Sequence, residues 1–223
     1  MKQKKIFLNK EGDRWFKRNS NRDSRNFKDI NSFIPLIKDK DKILEIGTSD
    51  GIKLDYLSRK IPSLNLSLFG IDPSYESINA GSDLYPNLNL KQGTSDEIEF
   101  DNQYFNVVIL GFCLYLVDRE LLFNTISEVD RTLKQGGYLV ITDFETPFPI
   151  KRKYEHQEGC FSYKNNYPNF FLGGGHYSLV NKVHYSHSTD YYEQKILFNP
   201  DINERVSTSV LYKEKYSKIY RLG

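Results

Sequence analysis

Between residues 43 and 143 the chain alternates short apolar runs with stretches of helical periodicity, a pattern that few folds accommodate. The runs 43–46, 64–71 and 105–110 are dominated by Ile, Leu, Val and Phe, as expected of buried strands. Between them, Ile52, Leu54, Leu57 and Ile61 are spaced for a helix that ends at Pro62, and residues 119–134 carry apolar side chains at 121, 122, 126, 129 and 133. A short third strand is expected at 88–90, and Gly136-Gly137 turn the chain into another strand at 138–143. Pro73 and Ser74 are placed to open a helix, Ser as its cap. This alternation predicts the α/β class: a doubly wound, mostly parallel, seven-stranded sheet with helices on both faces. The pattern then changes. Residues 177–188 and 205–212 are strand-like and are expected to pair as a C-terminal antiparallel hairpin, whereas the aromatic, Pro- and Gly-rich segment at 144–190 reads as a variable cover over the substrate.

In such sheets ligands lie outside the carboxyl ends of the strands, so the residues that follow each strand carry the chemistry. After the first strand comes Glu45-Ile46-Gly47-Thr48-Ser49-Asp50-Gly51, and the second ends in Gly70-Ile71-Asp72. Gly47 and Gly51 can take backbone angles closed to other residues, and Asp72, 21 residues after Gly51, is placed to accept ribose hydroxyls. The turn lacks the G-x-G-x-x-G spacing that seats a pyrophosphate on a helix N-terminus. Its two carboxylates, Glu45 and Asp50, would repel a pyrophosphate and suit a ligand bearing sulfonium and ammonium groups. S-adenosylmethionine is such a ligand.

At this point the sequence resembles the class I, Rossmann-like S-adenosylmethionine-dependent methyltransferases, of the small-molecule, type 11-like kind. Glu45, Gly47 and Gly51 match the family's acidic-x-Gly-x-x-x-Gly motif, with Ser49 where a middle glycine is common. The resemblance covers 43–143 by motif and the rest by order of elements. It implies that Glu45 holds the methionine ammonium and that the amides of Thr48, Ser49 and Gly51 surround the methionine and ribose. It likewise implies that Asp72 takes the ribose while Pro73 and Ser74 flank the adenine. Gly93-Thr94-Ser95-Asp96-Glu97-Ile98-Glu99-Phe100 resembles the family's Gly-Asp-Ala-Glu-x-Leu-Pro-Phe, making Ser95 and Ile98 adenine neighbours. The family's Asp falls on Thr94, and Asp96 is the substitute. Gly111 opens the loop facing the methionine and the transferring methyl.

If the acceptor starts protonated, a base is needed, and His titrates nearest neutrality. His176 and His187 adjoin the expected cover and are candidates, with Tyr115 as a third. The Asp/Asn-Pro-Pro-aromatic tetrapeptide of adenine amine methylases is replaced by Leu110-Gly111-Phe112-Cys113, which disfavours nucleic acid as substrate. The expected reaction is therefore methyl transfer to O or N of a small polar acceptor, with a sugar or other surface-polysaccharide or secondary-metabolite precursor as the guess. Two alternatives stay open: an RNA-modifying methyltransferase, or a non-catalytic protein that binds S-adenosylmethionine.

Residues 1–42 hold 13 Lys/Arg against 6 Asp/Glu, leaving 18 against 23 for residues 43–223, so the net charge of +2 hides a basic arm. Its charges alternate with Asp and Asn around Trp15, Phe16 and Phe27, which predicts a solvated N-terminal helical arm rather than an RNA-binding tail. Residues 43–223 would then form the methyltransferase domain. No run of about 18 apolar residues and no apolar leader core follow Met1, predicting no membrane insertion and a cytoplasmic protein. The two cysteines, Cys113 and Cys160, make no zinc pattern, and no metal is expected. A homodimer is left open.

Overall fold

The computed structural model describes residues 2–20, 27–187 and 201–219; residues 21–26 of the basic arm and 188–190 of the expected cover lie outside them. Strand β1 (Lys42–Ile46) is followed in the chain by β2 (Ser67–Asp72), β3 (Asn89–Gln92), β4 (Phe105–Gly111) and β5 (Leu133–Phe144), and these five pair in parallel with one another. A separate hairpin, β6 (Ile150–Lys153) and β7 (Phe161–Lys164), precedes β8 (Tyr177–Ser186) and β9 (Arg205–Lys213). The last two return to the sheet antiparallel, giving the order β3-β2-β1-β4-β5-β9-β8. The expected C-terminal hairpin is present, with β9 inserted beside β5.

Side chains alternate across this sheet and build a core on each face. Leu44, Ile46, Val108, Leu110, Leu139 and Ile141 pack with Leu122 and Val129 of α5 (Leu122–Thr132). Ile43, Val107, Ile109 and Val140 pack on the other face with Leu54 and Leu57 of α3 (Ile52–Lys60). Each such residue, removed from water, contributes about 1.5–3 kcal/mol. Ser74 caps the helix α4 (Tyr75–Leu84), its hydroxyl accepting from the Ser77 amide at 3.0 Å. The helix expected at 119–134 is shorter because Leu133 already pairs with Phe105, and the Gly136-Gly137 corner falls inside β5, where the register shifts.

The N-terminal arm departs from expectation. Helices α1 (Lys2–Ile6) and α2 (Gly12–Arg18), joined by a π-helical turn at Phe7–Glu11, lie across the carboxyl edge of the sheet rather than in solvent. Gln3, Glu11 and Gly12 are buried. The Gln3 amide donates to the Leu116 and Phe161 carbonyls and accepts from the Phe161 N–H, tying α1 to the β6–β7 hairpin. Asp13 accepts from the Ser74 hydroxyl at 2.7 Å and the Glu76 amide at 3.0 Å, so the arm also caps α4. A Cβ on Gly12 would stand 2.8 Å from the Phe7 carbonyl and 3.1 Å from Ser74 Cα, which explains glycine at this crossing. The arm's Lys4 and Lys17 are paired within the chain, with Asp96 at 2.8 Å and Glu76 at 2.7 Å.

Candidate active site

The turn after β1 is built on three left-handed residues. Gly47 and Gly51 both have φ of 78°, and Ser49, at the place of the family's middle glycine, has φ of 55°. A non-glycine residue there costs about 1–2 kcal/mol. Asp72 compensates: its Oδ2 accepts the Ser49 amide at 2.9 Å and its Oδ1 accepts the Ser74 amide at 2.9 Å, while the Gly47 and Thr48 amides donate to the Ile71 carbonyl. Ser49→Gly should therefore keep thermal stability within about 1 kcal/mol of the native chain. Ser49→Val, β-branched in left-handed backbone, should lose about 2 kcal/mol or more; a denaturation series comparing the two checks this.

Two adjoining cavities of about 140 and about 280 Å³ run along the carboxyl ends of β1, β2 and β4. The first is walled by Gly47, Asp72, Pro73, Thr94, Ser95, Asp96 and Gly111, and roofed by Lys4, Phe7, Gly12 and Trp15 of the arm. The second continues from Gly47, Thr48, Ser49 and Gly111 to Glu45, Lys53, Tyr115 and His187. Of the residues expected at the cofactor, Ser74 and Ile98 are absent from these walls, and so is Gly51. It caps α3, and a Cβ there would stand 2.8 Å from Leu88, so it serves the turn and its packing. Asp50 is likewise turned away, its Oδ1 accepting from the Ile52 amide at 3.4 Å; the carboxylates lining the cavities are Glu45, Asp72, Asp96 and Asp118. Asp96, the substitute for the family's Asp, is held by Lys4 Nζ at 2.8 Å.

Glu45 is 2% exposed, and burial pushes its carboxyl up to about 7 against the opposing pull of Lys53 and the Thr48 hydroxyl, which donates at 3.0 Å. Such a group sits near half-ionised at neutrality, and a bound cation would favour its charged form. The loop after β4 is fixed from below by Asp143, also raised to about 7 by burial, whose oxygens accept the Phe144 amide at 2.7 Å and the Tyr115 amide at 3.3 Å. Burial raises the Cys113 thiol well above its ordinary range, so it lines the first cavity as a neutral group.

The strand directions separate the three candidate bases. β8 runs parallel to β5 because both are antiparallel to β9, and Phe144, Val206 and Tyr185 stand in one row at the carboxyl edge. His187 follows directly and lines the second cavity with Tyr115, its ring 4.8 Å from Phe144 and 5.9 Å from Phe112. Burial lowers its pKa, and Glu204 at 3.7 Å from Nδ1 opposes that shift. His176 precedes β8 at the opposite edge, against Tyr216, and is thereby removed from the candidates. Sequence reasoning passed over Lys53, Tyr154, His156 and the arm residues Trp15 and Asn19, all of which line the second cavity. Tyr154 joins hairpin to arm, donating to buried Glu11 at 3.2 Å, which also pairs with Arg18.

A cleft at the carboxyl edge of a 3-2-1-4-5 parallel sheet, with Asp72 at the end of β2 and an acidic, glycine-bearing first turn, is the arrangement of doubly wound nucleotide-binding folds. A family model described as a methyltransferase domain matches residues 18–187. The chain belongs to that family, the Rossmann-like class whose methyl donor is S-adenosylmethionine. It is 32% identical over 102 residues to a demethylmenaquinone methyltransferase of Chlorobaculum tepidum, covering 46% of this chain and 40% of that protein. To the ubiquinone/menaquinone biosynthesis C-methyltransferase UbiE of Campylobacter jejuni it is 28% identical over 107 residues, 46% and 44% of the two. The alignment thus spans less than half the length of these curated relatives.

Among solved structures, the 1,6-didemethyltoxoflavin-N1-methyltransferase of Burkholderia thailandensis, with 1,6-didemethyltoxoflavin and S-adenosylhomocysteine bound, superposes with a TM-score of 0.64 at 12% identity. That match covers 94% of this chain and 84% of the other. A TehB-like S-adenosylmethionine-dependent methyltransferase of Corynebacterium glutamicum gives 0.61 at 15% identity, covering 94% and 99%. Both likenesses concern the fold.

The cavities fit the donor. At Gly47 an added Cβ would stand 3.0 Å from the Gly111 carbonyl and from Cys113 Cβ, so this floor admits only bare backbone. Glu45 would offer a carboxylate to the ammonium and Asp72 one to the ribose, with Pro73, Thr94 and Ser95 as the residues that would line the adenosine side. Among the described residues no helix is long and apolar enough to cross a membrane.

Proposed function

We propose that this protein transfers a methyl group to an oxygen or nitrogen of a small, planar aromatic or heteroaromatic acceptor bound in the second cavity. The carrying observation is the lining of that cavity. Trp15, Phe27, Phe112, Tyr115, Tyr154, His156 and His187 supply faces for a flat ring, with hydroxyls and imidazoles spaced among them for its polar atoms. This lining favours an aromatic secondary-metabolite precursor over the sugar that sequence suggested. Demethylmenaquinone and 1,6-didemethyltoxoflavin, named in two of those proteins, are ring compounds, which supports a ring acceptor.

S-adenosylmethionine supplies a methyl on a sulfonium, already activated for in-line displacement. The chain's own work is to hold the acceptor in line and keep water out, and alignment of this kind accounts for much of the rate. Trp15 and the β6–β7 hairpin form the roof through Tyr154 and Glu11. His187, held neutral by burial at physiological pH, is the group proposed to take a proton from a hydroxyl acceptor. Two unpaired cysteines fit the cytoplasmic location that belongs to this proposal.

The test is a binding panel on the protein saturated with S-adenosylhomocysteine, setting hydroxylated aromatics and N-heteroaromatics against nucleotide sugars, followed by labelled-methyl transfer to each binder. Binding and turnover confined to sugars would overturn the acceptor class. Cofactor binding with no turnover on any acceptor would favour the non-catalytic alternative. On a hydroxyl acceptor, His187→Ala should lower kcat about 10²–10³-fold and leave cofactor affinity unchanged.

The Glu45 carboxyl adds a pH dependence. An ammonium beside it favours the ionised form, so its pKa falls on binding and a proton is released near pH 7. S-adenosylhomocysteine affinity should therefore rise about tenfold from pH 6 to pH 8 and level off above that. Calorimetry in buffers of different ionisation heat measures the released proton directly, and a flat profile would remove Glu45 from the ammonium site.

A further inference from the structure

Lys53 is buried on the wall of the second cavity, at the start of α3, and its side chain is 10% exposed. Its Nζ lies 3.3 Å from Asp29 Oδ2 and 3.5 Å from Glu45 Oε1. Asp29, 1% exposed, comes from the short 3-10 helix Lys28–Ser32, and its Oδ1 is buried without a hydrogen-bond partner. Taking an ammonium out of water is costly unless anions surround it. Neutralising Asp29 and Glu45 explains why a lysine is tolerated here. It does not explain why the ammonium lines the cavity where the methionine end of the donor is placed. A Cβ built on Gly111 would stand 3.2 Å from Glu45 Oε1 and 3.4 Å from Lys53 Nζ, so one bare stretch of backbone is flanked by both charges.

We propose that Lys53 binds the α-carboxylate of the donor's methionine, with Asp29 as the anchor that holds its ammonium at the wall. An amino acid carries an ammonium and a carboxylate on one carbon. Glu45 and Lys53 present the opposite charges side by side and together read that zwitterion, each ligand group meeting its counter-charge in a site of low dielectric. This rests on reading the cavities as the S-adenosylmethionine site.

Calorimetry with two ligands separates the possibilities. S-adenosylhomocysteine carries the amino acid; 5′-methylthioadenosine keeps the adenosine and thioether and lacks it. Lys53→Met should weaken S-adenosylhomocysteine about 30-fold or more, leave 5′-methylthioadenosine within about twofold, and be largely restored by Lys53→Arg. Equal losses for both ligands, or no loss for either in the folded variant, would overturn the assignment. Where the single change lowers the thermal midpoint, the Lys53→Met, Asp29→Asn double variant removes the pair together, and the same split between ligands is required of it. If the native protein binds neither ligand, the underlying cofactor reading fails rather than the role of Lys53.

Discussion

Replacing Asp72 with Ala should abolish useful cofactor affinity, weakening S-adenosylhomocysteine by roughly 100-fold or more in calorimetry. Two losses combine. The carboxylate at the end of β2 is the group placed to accept ribose hydroxyls, and hydrogen bonds to a charged acceptor are worth about 1.5–3 kcal/mol each. The same carboxylate holds the Ser49 amide at 2.9 Å and the Ser74 amide at 2.9 Å, so without it the left-handed Ser49 loses its tether. Asp72→Asn separates the two roles. Its amide oxygen can still accept one backbone N–H and so retain most of the stability, while the charge that receives the diol is gone. Wild-type affinity in Asp72→Ala would mean that the ribose lies elsewhere and that Asp72 is only a brace.

The sheet was legible because strands covered on both faces are predominantly apolar. The runs ending in Ile46, Ile71 and Leu110 are rich in Ile, Leu, Val and Phe, and their alternation with helical segments implied the doubly wound parallel sheet that is observed. The reversed β9 was legible from β-branched composition. What stayed hidden depends on contacts between distant segments. Gln3 meets Phe161 across 158 positions, and Tyr154 meets Glu11 across 143, so a roof made of a charged arm and an irregular hairpin leaves no periodic trace in either piece.

Single positions show the same limit. His176 and His187 look equivalent along the chain, yet a ten-residue strand carries them to opposite edges of the sheet. Lys53 reads as a solvated helix residue until Asp29 is seen beneath it. Asp50 reads as a cofactor carboxylate, yet its neighbours Thr48 and Ser49 line the cavity while it turns back to α3. The charge argument that pointed to a sulfonium donor holds with Glu45 and without Asp50.

Gly81→Ala should be the most damaging single methyl in the molecule. In an ordinary helix interior this substitution stabilises by roughly 1 kcal/mol, because alanine loses less chain entropy on folding. Here the sign reverses. Gly81, buried in α4, carries its hydrogen where an added Cβ would stand 2.2 Å from the Asp50 carbonyl oxygen, 2.7 Å from its carbon and 2.6 Å from Leu90 Cδ1. Two of these atoms are backbone of the first turn, so no side-chain rotation relieves the overlap. Either α4 moves off the sheet or the turn carrying Thr48 and Ser49 moves into the cavity. The expected cost is about 3 kcal/mol or more, a fall of roughly 6–12 °C in thermal midpoint for a chain of this size, with loss of S-adenosylhomocysteine affinity in whatever fraction folds. A scanning-calorimetry trace that instead moved upward would show that α4 does not rest on the cofactor turn, and the close approach that fixes glycine at this position would have to be abandoned.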